Sequence, residues 1–162
     1  MLACSGMSVI EVRRQIDALP DDVWRLVGDP VDLSGVTAEC TGMAWMGSAT
    51  GPAVGARFRG HNRQGWRRWT TTCTIVRFEP GAAVEWDVAF GPLPVARWGY
   101  RVEPDGPDGT TVYETFEDHR GALLRAVGPL VRGTRDAEGL NRSNMEATLG
   151  RIKARAEARA GT

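Results

Sequence analysis

The chain has 162 residues, its 20 acidic and 20 basic side chains cancel to a formal charge of zero, and 42% of its positions are hydrophobic. That length suits one domain burying roughly 70% of its unfolded surface, and balanced charge supplies no global field to recruit nucleic acid or an anionic membrane. No apolar run approaches the roughly 18–20 residues that span a bilayer, so membrane insertion is not expected.

In chain order, residues 1–7 read as a disordered extension. They lack the basic and apolar regions of a secretory signal, and Met7 is an alternative start. A single domain is expected over 8–157, with a frayed C-terminus at 158–162. The first strand is Ser8 to Ile16, with a mixed pattern that does not name its buried face. Pro20 followed by Asp21 and Asp22 starts a helix, since proline is tolerated in a first turn and carboxylates favour the positive dipole end. Asp29-Pro30 ends it, because a residue before proline is pushed out of helical geometry. A second short helix is placed at Val31 to Leu33.

Strands follow at Ala38 to Met46, Ala56 to Asn62, Trp69 to Glu79, Ala83 to Ala89, Ala96 to Glu103 and Thr110 to Glu117. Glycine- and proline-rich turns separate most of them. Connections this short favour antiparallel neighbours in a meander, since parallel pairs need long crossovers. A short helical piece begins at Ala122 and breaks at Gly128-Pro129. From Asp136 onward the period becomes helical, with Leu140, Met145, Leu149 and Ile152 in one stripe.

Cys4, Cys40 and Cys73 form no close-spaced pair and have no flanking histidines, so neither a zinc site nor a disulfide framework is indicated. Reduced thiols and a cytoplasmic location are expected, with no metal and no cofactor. Cys73 reads as a buried, inert thiol. His61 and His119 lie on opposite parity or in a loop and support no histidine-based site; His119 reads as an exposed strand end. The hairpin Asn62-Arg-Gln-Gly-Trp-Arg-Arg-Trp69 is a basic-aromatic patch, read as a solvated turn whose arginines shield the rings.

Strand parity outlines a cavity wall. Phe58, Gly60 and Asn62 share one side of their strand, with Arg57, Arg59 and His61 on the other. Glycine leaves room for a ligand and an amide can orient it. The same alternation groups Trp86 with Val84 and Val88, Trp98 with Tyr100 and Val102, and Glu114 with Val112 and Phe116. Trp86 reads first as plain core; Trp98 and Tyr100 serve equally as core or as cavity lining. Glu114 in an apolar wall would have its pKa raised into a range useful for proton transfer. The ordinary alternatives are a bulge or edge position that puts it in water, or an ion pair with an arginine. Asn141 and Asn144, three apart on a helix, could join Asn62 in hydrogen-bonding a ligand, or could lie on a solvated face.

The order of elements resembles the α+β helix-grip fold of the START and polyketide-cyclase/dehydrase (SRPBCC) superfamily, which includes the birch-pollen allergens. The matching residues are Leu19-Pro-Asp-Asp-Val-Trp24 with Asp29, Gly55-Ala-Arg-Phe58-Arg-Gly60-His-Asn62, Phe78-Glu-Pro80-Gly, Gly109-Thr-Thr-Val112-Tyr-Glu114, and Asn141 with Met145, Thr148 and Leu149. The chain departs at Gly35-Val36-Thr37, where many members carry a proline and a tryptophan. The resemblance implies a curved antiparallel sheet of about seven strands around a long C-terminal helix, two short helices after the first strand, and a cavity for lipids, polyketides or other apolar molecules.

The expectation is therefore a protein that binds a hydrophobic small molecule through Phe58, Asn62, Trp86, Trp98, Phe116, Asn141, Asn144 and Met145. One alternative is a polyketide cyclase, dehydratase or aromatase with Glu114 or Tyr100 moving protons. Another is a protein-interaction module without ligand. A monomer and a homodimer both fit.

Overall fold

The first strand, β1 (Val9–Ile16), alternates: Ile10, Val12 and Ile16 are buried, whereas Glu11, Arg13 and Gln15 face water. The computed structural model describes residues 8–37, 40–132 and 136–161. The expected extension over 1–7, the expected strand start at Ala38, and residue 162 lie outside them.

Helix α1 (Pro20–Val27) opens on proline with Asp21 and Asp22 in its first turn, and buries Val23 and Val27. It ends at Gly28, where a Cβ would stand 2.5 Å from an indole carbon of Trp24, so only glycine lets that ring cover the backbone. The second short helix is a 3₁₀ turn, Asp32–Gly35, anchored by buried Leu33.

Six strands then run as a meander: β2 (Cys40–Trp45), β3 (Arg57–Gln64), β4 (Arg67–Glu79), β5 (Ala83–Phe90), β6 (Leu93–Pro104) and β7 (Thr110–Asp118). The sheet order is β1-β7-β6-β5-β4-β3-β2, and every pair is antiparallel. Because β1 joins β7, that strand has a neighbour on each side. Register shifts in the β2/β3, β4/β5 and β5/β6 ladders supply local bends of the kind that curl a sheet.

Two hairpins are tighter than their sequence suggests. Gly65 (φ 61°) and Gly91 (φ 56°) each open a two-residue loop, the left-handed first position that a type II′ turn requires. Strand pairing therefore continues to Gln64 and resumes at Arg67, where a longer loop was expected.

Helix α2 (Ala122–Arg132) also departs from expectation, since it runs through Gly128-Pro129 instead of breaking there. Proline excludes helical geometry from its predecessor partly by clashing with that residue's Cβ, and Gly128 has none. Helix α3 (Ala137–Ala160) is capped by Asp136, whose Oδ1 accepts the Gly139 N–H at 2.8 Å.

The buried face of α3 is Asn141, Met145, Thr148, Leu149, Ile152 and Ala156. Leu140, expected on that stripe, is only half-buried, and Asn141 takes the inward position. The helix packs on β1, α1 and β7. Its C-terminal half is tied down on both sides: Lys153 Nζ donates to the Gln15 carbonyl at 3.0 Å and the Asp17 N–H to Glu157 Oε1 at 2.9 Å. Arg151 and Arg155 donate to the carbonyls of Val36 and Gly35, both at 3.0 Å. These ties hold the departing Gly35-Val36-Thr37 segment against the helix. Among the described residues no helix is long and apolar enough to cross a membrane.

Candidate ligand site

Cross-strand register stacks the concave side chains in rows. The deepest row is Val12, Glu114, Tyr100, Val84 and Phe78. The next is Ile10, Phe116, Trp98, Trp86 and Ile75, and the third is Asp118, Ala96, Val88, Cys73, Phe58 and Trp45. Aromatic rings dominate: Trp86 stacks with Tyr100 (centroids 6.0 Å apart, planes 25°), and Trp98 meets Phe116 edge-on at 4.8 Å.

Between these rows and the N-terminal half of α3 lies a cavity of about 170 Å³. Trp86, Trp98, Tyr100, Glu114 and Phe116 border it from the sheet, and Asn141, Asn144, Met145 and Thr148 from the helix. Asn62 lines it near β2 and donates from Nδ2 to Thr71 Oγ1 at 3.2 Å. Phe58 stands apart from the other candidates. It is fully buried behind the wall, edge-on to Trp45 (5.5 Å) and Trp86 (6.0 Å), and does not border the cavity. Its ring packs against Trp86, which does border the cavity.

Glu114 is 3% exposed. Its strand is interior and its ladders with β1 and β6 are unbroken, so the bulge and edge placements do not occur. Among the described residues no arginine reaches it. Tyr100 Oη donates to Oε1 at 2.7 Å, while Oε2 is buried with no hydrogen-bond partner among the described residues. Burial pushes the carboxyl up to about 8 against the smaller opposing pull of the Tyr100 hydrogen bond. Burial, and then the Glu114 charge, hold the Tyr100 phenol well above its ordinary range. At neutral pH both groups are therefore uncharged. Since Oε1 accepts from Tyr100, the carboxyl proton belongs on Oε2.

The cavity also has members that the expected site residues do not include. Asp118 and Arg120 continue the parity of Val112, Glu114 and Phe116, and Arg120 borders the cavity. Its Nε and Nη2 bind Asp118 Oδ1 and Oδ2 at 2.9 and 2.7 Å. Burial pushes Asp118 up, but the Arg120 hydrogen bonds and charge outweigh it and leave the carboxylate below its usual range. Trp69, assigned to the solvated hairpin, faces inward opposite Asn62 and lines the cavity. Carrying the β4 parity of Cys73 back to Trp69 and the β7 parity of Phe116 on to Asp118 and Arg120 finds these residues.

Elsewhere on that hairpin Trp66 is 80% exposed, with the Arg67 guanidinium 4.5 Å above its ring. Cys73 is buried on the cavity wall, and burial pushes its thiol up to about 12, far from a reactive thiolate. His61 points outward, Nδ1 3.3 Å from Thr70 Oγ1. His119 is half-buried, Nε2 3.2 Å from Glu117 Oε2, instead of exposed at a strand end.

A sheet curled over one long helix, with an aromatic cavity between them, defines a helix-grip protein. The sequence matches the family described as polyketide cyclase/dehydrase and lipid transport over residues 7–157, and the chain belongs to that family. The major latex-like protein 151 of Panax ginseng superposes with a TM-score of 0.69 at 13% identity, over 93% of this chain and 97% of that one. The Zhui aromatase/cyclase from Streptomyces gives 0.70 at 17%, over 95% and 96%. A polyketide-cyclase-like protein from Corynebacterium glutamicum gives 0.58 at 24%, over 96% and 95%. At such identities the likeness carries the fold and not the ligand. Among curated proteins none matches the sequence.

Proposed function

We propose that the protein binds a small hydrophobic or aromatic molecule, of lipid-like or polyketide-like character, between its sheet and α3. The observation that carries this reading is the cavity of about 170 Å³ walled by Trp86, Trp98 and Phe116 and roofed by Met145. An apolar cavity of about 150 Å³ suffices for benzene, whereas sites for drug-sized ligands run from about 300 Å³ upward. A volume of this size thus suits one aromatic ring or one end of a longer molecule.

Native mass spectrometry of gently purified protein tests this. A stoichiometric apolar adduct is expected, and Trp98→Ala should weaken a ring-bearing ligand by about 0.5–1.5 kcal/mol beyond its area loss. A clean mass after incubation with lipids and aromatic polyketides would move the assignment to protein interaction. Concentration-dependent light scattering would then test for a dimer.

A second reading, proton transfer in a cyclisation or dehydration, is favoured by Glu114. A carboxyl poised near pH 8 inside a cavity can give and take a proton at neutral pH. Under this reading Tyr100 holds Oε1 and leaves Oε2 to exchange the proton. Glu114→Gln separates the two: turnover lost with binding kept supports catalysis, and a full-rate variant removes Glu114 from the chemistry.

A further inference from the structure

We infer that the cavity selects a neutral aromatic carbonyl compound, its ring against Trp98 and Phe116 and its carbonyl oxygen on the Oε2–H of Glu114. This rests on the reading of the cavity as a ligand site and adds the chemical class of the ligand. Oε2 is a buried polar atom on the cavity wall that the described protein leaves without a partner. A buried donor left unmade is costly, so whatever fills the space is selected to meet it.

The surroundings fix the polarity of that partner. Tyr100 from β6 occupies Oε1, and Val12 of β1 stands beside Glu114 in the register. Val84 and Trp86 of β5 add apolar surface. From α3 come Asn141, Asn144, Met145 and Thr148, and the Thr148 hydroxyl proton is donated to the Asn144 carbonyl at 2.8 Å. Among the described residues the one cation on the lining is Arg120, which is engaged by Asp118. Among the described residues no other positive charge borders the cavity to ionise Glu114 or to neutralise an anionic ligand. A neutral acid whose other oxygen is already an acceptor presents a donor, and a ketone, aldehyde or quinone oxygen satisfies it. A hydrocarbon leaves the donor unmade, and a carboxylate brings a charge that this wall does not pair.

Three probes of similar size test the class on the full chain: acetophenone, ethylbenzene and benzoate, titrated by NMR on the tryptophan indole N–H signals. At about pH 6.5 acetophenone is expected to bind roughly three- to tenfold tighter than ethylbenzene, with benzoate weakest. At about pH 9.5 the acetophenone advantage is expected to fall toward unity as Oε2 loses its proton. Glu114→Gln offers an amide N–H in place of the acid proton, so the preference should persist but no longer depend on pH. Glu114→Leu should abolish the preference at both pH values. Equal affinity for ketone and hydrocarbon in the parent protein, or a preference unaffected by pH, overturns the inference and leaves cavity binding standing. Binding of none of the three overturns the cavity reading and this inference with it.

Discussion

Glu114 couples the stability of the fold to pH. Its carboxyl lies at about 8 in the folded chain against an ordinary value of 4.5, so between those values the unfolded chain gives up the proton while the folded one keeps it. The resulting contribution is fully present below about pH 4.5 and declines as pH rises through about 8, at up to about 1.4 kcal/mol per pH unit. Urea midpoints measured from about pH 5 to about pH 9 should fall in the parent and much less in Glu114→Gln; parallel curves would mean the carboxyl is not buried. Tyr100→Phe removes the hydrogen bond that holds the carboxyl down, so the Glu114 pKa should move above its parent value by carboxyl NMR. Stability at neutral pH should drop by about 1–3 kcal/mol because Oε1 is left unmet. Asp118 has the opposite sign: the balance of burial against Arg120 leaves its pKa lowered, so its contribution is lost as pH falls through that lowered value. The candidacy of Glu114 was legible from parity with Val112 and Phe116. Its freedom from any arginine was not, because parity names a face and not what stands across from it.

Helix α3 divides into two functional halves. Its later residues Leu149, Ile152 and Ala156 pack against the rest of the core, and Ile152→Ala should cost about 2–5 kcal/mol in denaturant titrations. Met145 is equally buried but borders the cavity, so Met145→Ala should destabilise while enlarging the space for a ligand. The expected result is better binding of a two-ring probe relative to a one-ring probe; an unchanged ratio would mean that Met145 does not limit ligand size. The long helix was legible from its period, because one apolar stripe recurs along it. Its rotation was not fully legible: Asn141 replaces Leu140 on the buried face, since a polar cavity edge accepts an amide whose placement the period alone left open. Pro129 inside α2 was misread for a local reason, the missing Cβ of Gly128.

At the scale of the whole molecule, the convex face carries exposed ion pairs such as Arg77 with Glu85 and Arg97 with Asp87, each worth about 0–1 kcal/mol. The fold rests instead on the aromatic concave face and its closure by α3. A ligand that enters this closure stabilises by mass action. At a concentration one hundred times its Kd it adds about 2.7 kcal/mol, which for a chain of this size raises Tm by roughly 5–10 °C. Calorimetry with acetophenone and ethylbenzene should show such a rise, and Trp98→Ala should reduce it. No rise with either would count against an internal site.

The sequence by itself determined the order of the elements, the inward sides of β3, β5, β6 and β7, and the family, because alternation, chain reversal and helical period are local properties written in neighbouring residues. Only the tertiary structure decided the rest. The pairing of β1 with β7 makes Glu114 interior, the register sets Tyr100 against it, and the stand-off of α3 leaves about 170 Å³ open. Each joins residues far apart in the chain. Burial, proton affinity and cavity volume depend on which surfaces meet, and that is fixed only when the sheet closes on its helix.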